Sequence, residues 1–356
     1  MNFGENLDWG VVGGGIVGLA CAWRLAQHGA RVVLLERGKI GGEASFVAAG
    51  MLAAQCENAF HPPSQYADEL FRFCLRSRAL YPDFLAELQV ASGLSLARER
   101  GICAVPSPQT TEPFARLQAQ KACGLAVEKC EYGRNVAYWL PDEGAVDPRE
   151  IVRALALAAR SAGVAVFENS AVDWTNNELR ANGNTVRCER VLICGGAWSS
   201  GLLGEVGAPD DWISPVAGLV LATRPAQRLH HVVYSSDVYL VPRADGRVII
   251  GATSEDWGFD KHVSLAAARR LMNSAARLMP ELEEAPIEEM IIGLRPVSRD
   301  GLPFIGPISE RVYVAAGHGR NGVLLAPATA TLVGEAASGG NWNAAFSPER
   351  ILCASH

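Results

Sequence analysis

The pattern of apolar and polar residues at the start of the chain predicts a strand, a helix and a second strand. The apolar run from Trp9 to Val12 is typical of a buried strand, and the run from Arg31 to Leu35 predicts another. Between them lies a helical segment that stops before Gly29. Its apolar residues recur three and four positions apart, at Ile16, Leu19, Ala20, Trp23 and Ala26. The chain therefore opens with a βαβ unit.

Three glycines and one acid give this unit a candidate chemistry. Gly13, Gly15 and Gly18 follow the first strand with the spacing G-x-G-x-x-G, and Glu36 ends the second strand. Such glycines let the backbone approach a pyrophosphate at a helix N-terminus, and the acid accepts hydrogen bonds from a ribose. An ordinary tight turn is the alternative, but the strand, the helix and the acid together favour a dinucleotide site. A carboxylate at Glu36 argues against NADP and leaves NAD and FAD open.

The pattern after residue 60 predicts helices separated by less regular stretches. Ser64 is suited to cap a helix, and shorter elements are expected from about Tyr81 to Tyr138, among them a helix that ends near Gly124. Asp147 begins a stronger signal, because it is followed by a proline at the first helical position and by a reciprocating acid. We expect that helix to run to Gly163.

Another β-rich stretch follows and ends in a second pair of glycines. Strands are predicted at Val164 to Phe167, Ala171 to Trp174 and Arg190 to Cys194. Asn182 and Gly183 favour a hairpin turn. The last strand leads into Gly195, but Ser200 stands where a second dinucleotide motif needs its third glycine. We therefore interpret Gly195 as a strand end that contacts the same cofactor as Gly13.

The second half of the chain changes character twice. The region from Trp212 to Glu289 alternates like antiparallel sheet with one helix, inserted into an α/β host. Its elements are predicted at Ile213 to Thr223, Val232 to Pro242, Arg247 to Ala252 and, for the helix, Ser264 to Met279. The host is expected to resume at Met290. It closes with a strand from Arg311 to Ala316 and a helix that ends near Ser338.

Two segments rich in small residues are candidates for contact with a ligand. Gly41 to Leu52 has the composition of a loop pressed against a flat ligand, although a generic glycine-rich turn would look similar. Gly317 to Gly322 is a glycine-rich loop that enters an apolar helix. Such a helix start offers free backbone N–H groups and the positive end of the helix dipole to an anion.

Composition narrows the class of protein. The chain has 356 residues, of which 49% are hydrophobic, so it is long enough for two domains, or for one domain with a large insertion, with a real core. A formal charge of −6 and the lack of a basic run interleaved with aromatics argue against a nucleic-acid surface. The 9 cysteines form no C-x-x-C pair and are expected to be reduced thiols. With no positive leader, no apolar span and no metal-ligand spacing among the 7 histidines, we expect a soluble cytoplasmic protein without membrane or metal.

With these motifs in hand, the chain resembles the FAD-dependent amine and D-amino-acid oxidase family. Within this family it is most similar to the glycine oxidases of the thiamine-thiazole pathway. The matching segments span nearly the full length: GGGIVG with Glu36-Arg37, EASFVAAGML, GGAWS, VYLVPRADGRVIIGAT, GLRPVSRDGLPFIG and GHGRNGVLLAPAT. The last three of these six segments are the most specific to the family.

The resemblance implies an α/β protein with an α+β second domain and non-covalent FAD. Residues 1–80, 145–210 and 290–356 would form a Rossmann-like FAD-binding domain, and residues 81–144 and 211–289 an antiparallel-sheet substrate-binding domain. Both domains would be discontinuous in sequence. The fingerprint, the strand end and the resemblance together supply the expected FAD contacts: Gly13, Gly15, Ile16, Val17, Gly18, Glu36, Arg37, Ala44, Ser45, Ala49, Gly50, Met51, Val172, Gly195, Trp198, His318, Gly319, Arg320, Asn321, Gly322, Val323 and Leu324.

The resemblance also implies roles for four residues at the substrate. Arg295 matches the family's carboxylate-binding arginine, and a guanidinium suits this task because it grips a carboxylate through two parallel hydrogen bonds. A structural salt bridge to a nearby glutamate is the alternative. Tyr239 would give the same carboxylate a hydroxyl bond, Tyr234 would line the pocket, and Arg320 would help to position substrate or to stabilise reduced flavin. Without the resemblance, both tyrosines would be interpreted as core residues.

The expected activity is oxidation of glycine, sarcosine and small D-amino acids. Hydride passes from the α-carbon to flavin, O2 is reduced to hydrogen peroxide, and the imine hydrolyses to glyoxylate and ammonia; no residue stands out as a general base. Ala217, Gly319 and Ser254 depart from the family pattern, so strict selectivity for glycine is not expected. A dehydrogenase that passes electrons to a quinone or carrier, and a non-catalytic FAD-binding interaction protein, stay open as alternatives. Whether the chain forms a homo-oligomer also stays open.

Overall fold

The computed structural model describes residue 3 and residues 7–61, 65–106, 112–175, 178–205, 207–209 and 211–352. The strands of these parts are β1 (Leu7–Val12), β2 (Val32–Leu35), β3 (Arg98–Ala104), β4 (Glu128–Tyr132), β5 (Asn135–Val146), β6 (Ala165–Phe167), β7 (Val172–Thr175), β8 (Glu178–Ala181), β9 (Asn184–Thr185), β10 (Cys188–Ile193), β11 (Ile213–Thr223), β12 (Val232–Tyr234), β13 (Tyr239–Pro242), β14 (Val248–Gly251), β15 (Ile287–Ser298), β16 (Phe304–Pro307) and β17 (Val312–Ala316).

Six of the ten α-helices in the described residues lie in the first half of the chain. The ten helices are α1 (Ile16–Gln27), α2 (Ala44–Val47), α3 (Ala54–Phe60), α4 (Ala67–Ser92), α5 (Glu112–Ala122), α6 (Pro148–Ser161), α7 (Ser199–Gly204), α8 (Leu265–Leu278), α9 (Gly322–Ala337) and α10 (Glu349–Leu352).

A six-stranded sheet forms the first layer, in the order β16-β17-β10-β1-β2-β6. Neighbouring strands pair in parallel, except that β16 runs antiparallel to β17. Both faces are buried: Trp9 and Val11 pack with α1, whereas Leu7 and Val12 pack on the opposite side with Trp212. Burial on both faces explains why these strands are continuous apolar runs. The α/β interpretation of the opening is confirmed.

An eight-stranded sheet forms the second layer, in the order β15-β11-β14-β13-β12-β3-β5-β4. Its pairs are antiparallel except for β12 with β3. β15 pairs with β11 from Ile213 opposite Ser298 to Thr223 opposite Ile287. The chain therefore leaves this sheet after Ser298, and the expected return to the host at Met290 falls inside β15. The division into two domains stays a prediction.

Several local predictions are confirmed. Asp147 accepts a hydrogen bond of 2.9 Å from the backbone N–H of Arg149 and caps α6. Asn182 and Gly183 have φ values of 48° and 77°. Positive φ at both central residues is what a two-residue hairpin turn of type I′ requires. Ser264, placed at the start of the predicted helix, caps α8 through the N–H of Ala267.

Other local predictions are wrong, and packing explains the differences. The shorter elements expected from Tyr81 do not begin there, because α4 continues across Pro82 to Ser92 with Phe84, Leu85 and Leu88 buried in the core. The single strand expected from Val232 to Pro242 is two strands, β12 and β13, joined by a turn in which Ser235 bonds to Val238. Ser64 lies outside the described residues. No helix in the described part of the chain is both long and apolar enough to span a membrane.

Candidate active site

The glycine fingerprint lies where the carboxyl ends of β1 and β10 meet the start of α1. Gly13 has a φ of +110°, and a Cβ there would lie 2.3 Å from the carbonyl oxygen of Cys194. A Cβ on Gly18 would lie 2.0 Å from the carbonyl oxygen of Gly13, so the helix packs against the strand only because that residue has no side chain. The N-cap residue of α1 is Gly15, which has no side chain to cap the helix, and no acid stands in the first turn. Its N-terminus therefore suits the pyrophosphate of a dinucleotide.

Glu36 stands at the end of β2, beside the fingerprint. Its two carboxylate oxygens accept hydrogen bonds from the backbone N–H groups of Gly14, at 2.7 Å, and Gly38, at 2.8 Å. Each oxygen keeps a further lone pair for a ribose hydroxyl. Ser170 donates its backbone N–H to the carbonyl of Glu36 at 2.8 Å, which brings the segment that leads to Val172 to the same end of the site. The contacts of Glu36 and Val172 with an adenosine stay predictions.

Trp198, which follows the carboxyl end of β10, contacts Arg37, the residue after Glu36. The guanidinium of Arg37 lies 3.6 Å from the ring centroid of Trp198, which follows β10 and Gly195. Arg37 also lies 3.4 Å from Glu43, and Glu43 forms an ion pair with Lys261 in the loop after β14. The strand end at Gly195 thus comes to the same crevice as the fingerprint, although its glycines do not form a second nucleotide motif.

The small-residue segment lies between the two sheets and includes the short helix α2. Ser45 accepts a hydrogen bond of 3.0 Å from the N–H of Ile16, so Ala44 and Ser45 lie against the start of α1, where Val17 is half-buried. The carbonyl of Ala49 accepts a hydrogen bond of 2.8 Å from the guanidinium of Arg243. Met51 forms an antiparallel backbone bridge with Ala145 of β5. A Cβ on Gly50 would lie 2.1 Å from the carbonyl oxygen of Val146. Small side chains are required here because two backbones approach closely.

The glycine-rich loop before α9, from Gly317 to Gly322, is the next segment of the candidate site. His318 is buried, and its Nε2 lies 3.1 Å from the hydroxyl of Thr329. Burial lowers the pKa of His318 to about 4, so its imidazole is neutral at physiological pH. The carbonyls of Val323 and Leu324 accept hydrogen bonds from Tyr81 and Ser77 of α4, which hold the first turn of α9.

The start of α9 is suited to an anionic group. Gly319 has a φ of +56°, and Asn321 is buried at the junction with the helix that begins at Gly322. Among the described residues, no side chain caps α9 and no acid lies in its first turn. The backbone donors and the helix dipole at this end thus favour negative charge. With the fingerprint and Glu36, this helix start fits a long dinucleotide such as FAD.

Arg295 lies on β15, across from β11 of the eight-stranded sheet. Its guanidinium extends over Gly218, where a Cβ would lie 2.4 Å from Nη1, and Nη1 donates a hydrogen bond of 3.0 Å to the carbonyl of Thr253. In the described part of the chain, no carboxylate forms an ion pair with Arg295. Glu288 and Glu289 are paired with other arginines. The alternative of a structural salt bridge is therefore not supported.

Tyr239 lies beside Arg295. Its ring covers Gly251, where a Cβ would lie 2.3 Å from the hydroxyl oxygen. Burial raises the pKa of Tyr239, while the neighbouring Arg295 guanidinium opposes the rise. The hydroxyl is therefore protonated at neutral pH and available as a donor. Glycines in two adjacent strands make room for the arginine and the tyrosine on the same sheet.

Tyr234 belongs to a polar cluster that the sequence patterns did not reveal. Its hydroxyl donates to Glu57 Oε1 at 3.3 Å and lies 3.0 Å from Nε2 of His61, which ends α3. The tautomer with the proton on Nε2 satisfies both contacts. Glu57 also forms an ion pair with Arg320. The signal was present as an acid and a histidine four residues apart, directly after the small-residue segment.

Ala217 and Ser254, two of the three residues that depart from the family pattern, differ in how far they are buried. Ala217 is fully buried and pairs through its backbone with Glu255. Ser254 is exposed in the loop after β14. No group of three metal-ligating side chains occurs in the described residues.

Comparison with known proteins agrees with this geometry. Residues 8–336 match a family model described as FAD dependent oxidoreductase, DAO. Glycine oxidase of Geobacillus kaustophilus (strain HTA426) is 34% identical over 93% of each chain, and glycine oxidase of Bacillus licheniformis is 32% identical over 97% of this chain and 98% of that one. The bifunctional protein ThiO/ThiG of Trichormus variabilis is 33% identical over 91% of this chain, which corresponds to 52% of the relative.

Solved structures extend the comparison to the fold. The crystal structure of glycine oxidase from Geobacillus kaustophilus superposes with a TM-score of 0.88, at 32% identity over 97% of this chain and 98% of that one. L-proline dehydrogenase from P. horikoshii superposes with a TM-score of 0.84 at 23% identity, over 98% of this chain and 99% of that one, and so shares the fold.

Proposed function

Because the chain belongs to the FAD dependent oxidoreductase family, DAO, we propose that it oxidises glycine and other small amino acids and amines, including sarcosine and small D-amino acids. FAD is the cofactor, and the activity class is FAD-dependent oxidation of an amine or amino acid. The individual substrates, the products and the residues that bind them are the substance of the proposal.

The substrate is bound by its acid end. Arg295 carries a permanent charge without a carboxylate partner in the described residues, and Tyr239 beside it is a protonated donor. A small amino acid whose carboxylate meets both side chains has its α-carbon held in one orientation, which lowers the entropic part of the barrier. Glycines 218 and 251 support this arrangement, because any larger residue would occupy the space of these two side chains.

The chemistry needs positioning more than acid–base groups. When bound, FAD would supply the two-electron chemistry, as the acceptor of a hydride from the α-carbon and the donor of two electrons to O2. The amine loses one proton, so that the substrate becomes an imine and O2 becomes H2O2; water then converts the imine of glycine to glyoxylate and ammonia. Burial keeps Tyr234 and Tyr239 protonated and His318 neutral, so none of them is a strong base. This agrees with a reaction in which no side chain removes a proton from carbon.

One observation carries the proposal: a guanidinium without an acidic partner in the described residues, that of Arg295, lies beside the partly buried Tyr239 on the antiparallel sheet. The test is anaerobic addition of glycine, sarcosine or D-alanine to purified holoenzyme. We expect loss of the oxidised flavin absorbance with at least one of them, followed by one H2O2 per reoxidation when air is admitted. A flavin that stays oxidised with all three would contradict oxidation of small amino acids and favour a non-catalytic FAD-binding protein.

Oxygen as the acceptor is tested in the same experiment. If the reduced flavin persisted in air but was reoxidised by a soluble quinone, the dehydrogenase alternative would replace the oxidase.

We also propose thiamine biosynthesis as the metabolic setting of this activity. The resemblance to glycine oxidases of the thiamine-thiazole pathway supports it, as do relatives named bifunctional protein ThiO/ThiG.

A further inference from the structure

The cluster around Glu57 holds a second guanidinium close to Arg295. Glu57 lies on α3 with 11% of its side chain exposed, and its carboxylate forms an ion pair with Nε of Arg320. The same carboxylate lies 3.4 Å from Nε2 of His61 and accepts the hydroxyl of Tyr234 at 3.3 Å. Side chains from α3, β12 and the turn before α9 thus meet at one carboxylate.

This cluster and Arg295 occupy one electrostatic neighbourhood. Burial lowers the pKa of His61, and the positive charges of Arg320 and Arg295 lower it further, although Glu57 opposes them. The negative charge of Glu57 also contributes to the raised pKa of both Tyr234 and Tyr239. The backbone of Val297, two residues after Arg295, bridges to His318, two residues before Arg320. A substrate held at Arg295 is therefore within electrostatic reach of Arg320.

The two guanidiniums differ in what neutralises them. Arg320 has the carboxylate of Glu57, whereas Arg295 has no acidic partner in the residues that the structure describes. The lowered pKa keeps His61 neutral at pH 7 and above, so it does not compete with Arg320 for the charge of Glu57. An arginine that is already paired with a partly buried carboxylate attracts a second anion weakly.

We propose that Glu57 is a specificity-determining residue that neutralises Arg320, so that the site accepts amino acids with one acidic group and discriminates against those with a second. The inference rests on the proposed function, in which Arg295 binds the substrate carboxylate. It assigns to α3 a role in substrate choice that neither the fingerprint nor the Arg295 site contains.

The test compares a monocarboxylate and a dicarboxylate that cannot be oxidised. Acetate and malonate are titrated into wild-type holoenzyme and into Glu57→Gln holoenzyme by calorimetry. The variant keeps the shape of the side chain but releases Arg320, so we expect malonate to bind about tenfold more tightly or better, with acetate changed by less than about twofold. In turnover, the ratio of kcat/KM for iminodiacetate to that for sarcosine should rise by a similar factor.

Two further variants separate this effect from a general change in charge. Glu69→Gln removes an exposed glutamate that pairs with Arg72 on α4, and we expect it to leave the malonate-to-acetate ratio unchanged. Glu57→Gln combined with Arg320→Gln should abolish the gain in malonate affinity. Glu57→Gln holoenzyme that binds malonate no more tightly than wild type would overturn the proposal.

The proposal can be tested even if Glu57→Gln does not fold. The double variant then replaces the whole ion pair by neutral groups, and we expect its malonate-to-acetate ratio to equal that of wild type. A tenfold loss of malonate affinity in the double variant would show that Arg320 already receives the second acid group, which contradicts the proposal. Malonate binding is measured without turnover, so its outcome is independent of whether wild type oxidises glycine or sarcosine.

Discussion

At the scale of single residues, burial and neighbours decide which side chains of the site stay charged. Burial raises the pKa of Tyr234 and Tyr239 and lowers that of His318, so these groups are neutral at pH 7. The guanidinium of Arg295 donates a hydrogen bond to the carbonyl of Thr253. Among the described residues of the site, Arg295 is a cation without an acidic partner, whereas Arg320 is paired with Glu57, and this arrangement suits a ligand with one carboxylate.

Removal of the Arg295 charge tests this arrangement. We expect Arg295→Met to raise the KM for the best small amino acid by roughly 10- to 100-fold, because a charge-assisted pair contributes about 1.5–3 kcal/mol. Steady-state kinetics measure KM, and flavin absorbance measures retained FAD. Arg299→Met is the matched control, since Arg299 is exposed and pairs with Asp211. An unchanged KM in Arg295→Met would remove this residue from carboxylate binding.

The neutral state of His318 predicts a pH dependence of stability. Its pKa is lowered in the folded protein from 6.5 to about 4. The stability that this contributes is fully present above pH 6.5 and is lost as pH falls through 4, a total of about 3 kcal/mol. We expect the Tm of His318→Gln holoenzyme to fall less steeply than that of wild type between these pH values. His262→Gln, at an exposed histidine, should keep the wild-type slope; equal slopes in all three proteins would contradict the prediction.

At the scale of elements, strand register creates the substrate-binding face. β11 and β15 pair so that Gly218 lies opposite Gly293, and Arg295 reaches back over Gly218 from two residues further along β15. β13 and β14 pair Tyr239 with Gly251, over which the tyrosine ring lies. Glycine in these strands weakens sheet propensity, but it opens the space that the functional side chains occupy.

A methyl group at Gly218 tests the strand geometry without a change of charge. The added Cβ would lie 2.4 to 2.6 Å from the Arg295 guanidinium, so the flexible side chain would have to move. We expect Gly218→Ala to fold and to retain FAD but to raise KM several-fold, since misplaced hydrogen-bonding groups lose part of their contribution. Gly201→Ala is the control, because a Cβ there has no neighbour within 4 Å. A KM equal to that of wild type would mean that the position of Arg295 is not critical.

At the scale of the whole molecule, a buried ion pair joins α4 to β5 of the antiparallel sheet and to α3. Glu143 is fully buried and accepts hydrogen bonds from the backbone N–H groups of Gln55, at 2.5 Å, and Cys56, at 3.2 Å. Arg78 of α4 lies 3.2 Å from Glu143 and donates to the side chain of Gln55 at 2.8 Å. This contact fixes the start of α3, the helix that carries Glu57.

Loss of Arg78 should therefore destabilise the protein strongly. Burial raises the pKa of Glu143 to about 7, even with Arg78 opposing the rise, so at pH 8 the carboxylate is charged and needs its partner. We expect Arg78→Met to lower the free energy of unfolding by about 3–5 kcal/mol at pH 8, measured by denaturant titration of the holoenzyme. Arg72→Met, at an exposed arginine of the same helix, should cost less than about 1 kcal/mol. Similar values for both variants would contradict a structural role for the buried pair.

Features that depend on a few neighbouring residues could be predicted from the sequence. The fingerprint glycines, the Asp147 cap and the Asn182-Gly183 turn each follow from local backbone geometry. Arg295 and Tyr239 could be selected through family resemblance, because their surrounding segments are distinctive. Their roles in binding stay predictions until the proposed variants are measured.

The sequence by itself thus determined the local elements and the class of cofactor, whereas only the tertiary structure decided which distant groups meet. The membership of β15 in the antiparallel sheet depends on pairing with a strand 64 or more positions away, from Thr223 opposite Ile287 onward. The meeting of Glu57, His61, Tyr234 and Arg320 likewise depends on three separate elements. Periodicity reports how one segment is buried, but hydrogen bonds and ion pairs between segments arise from the packed fold, so no local pattern contains them.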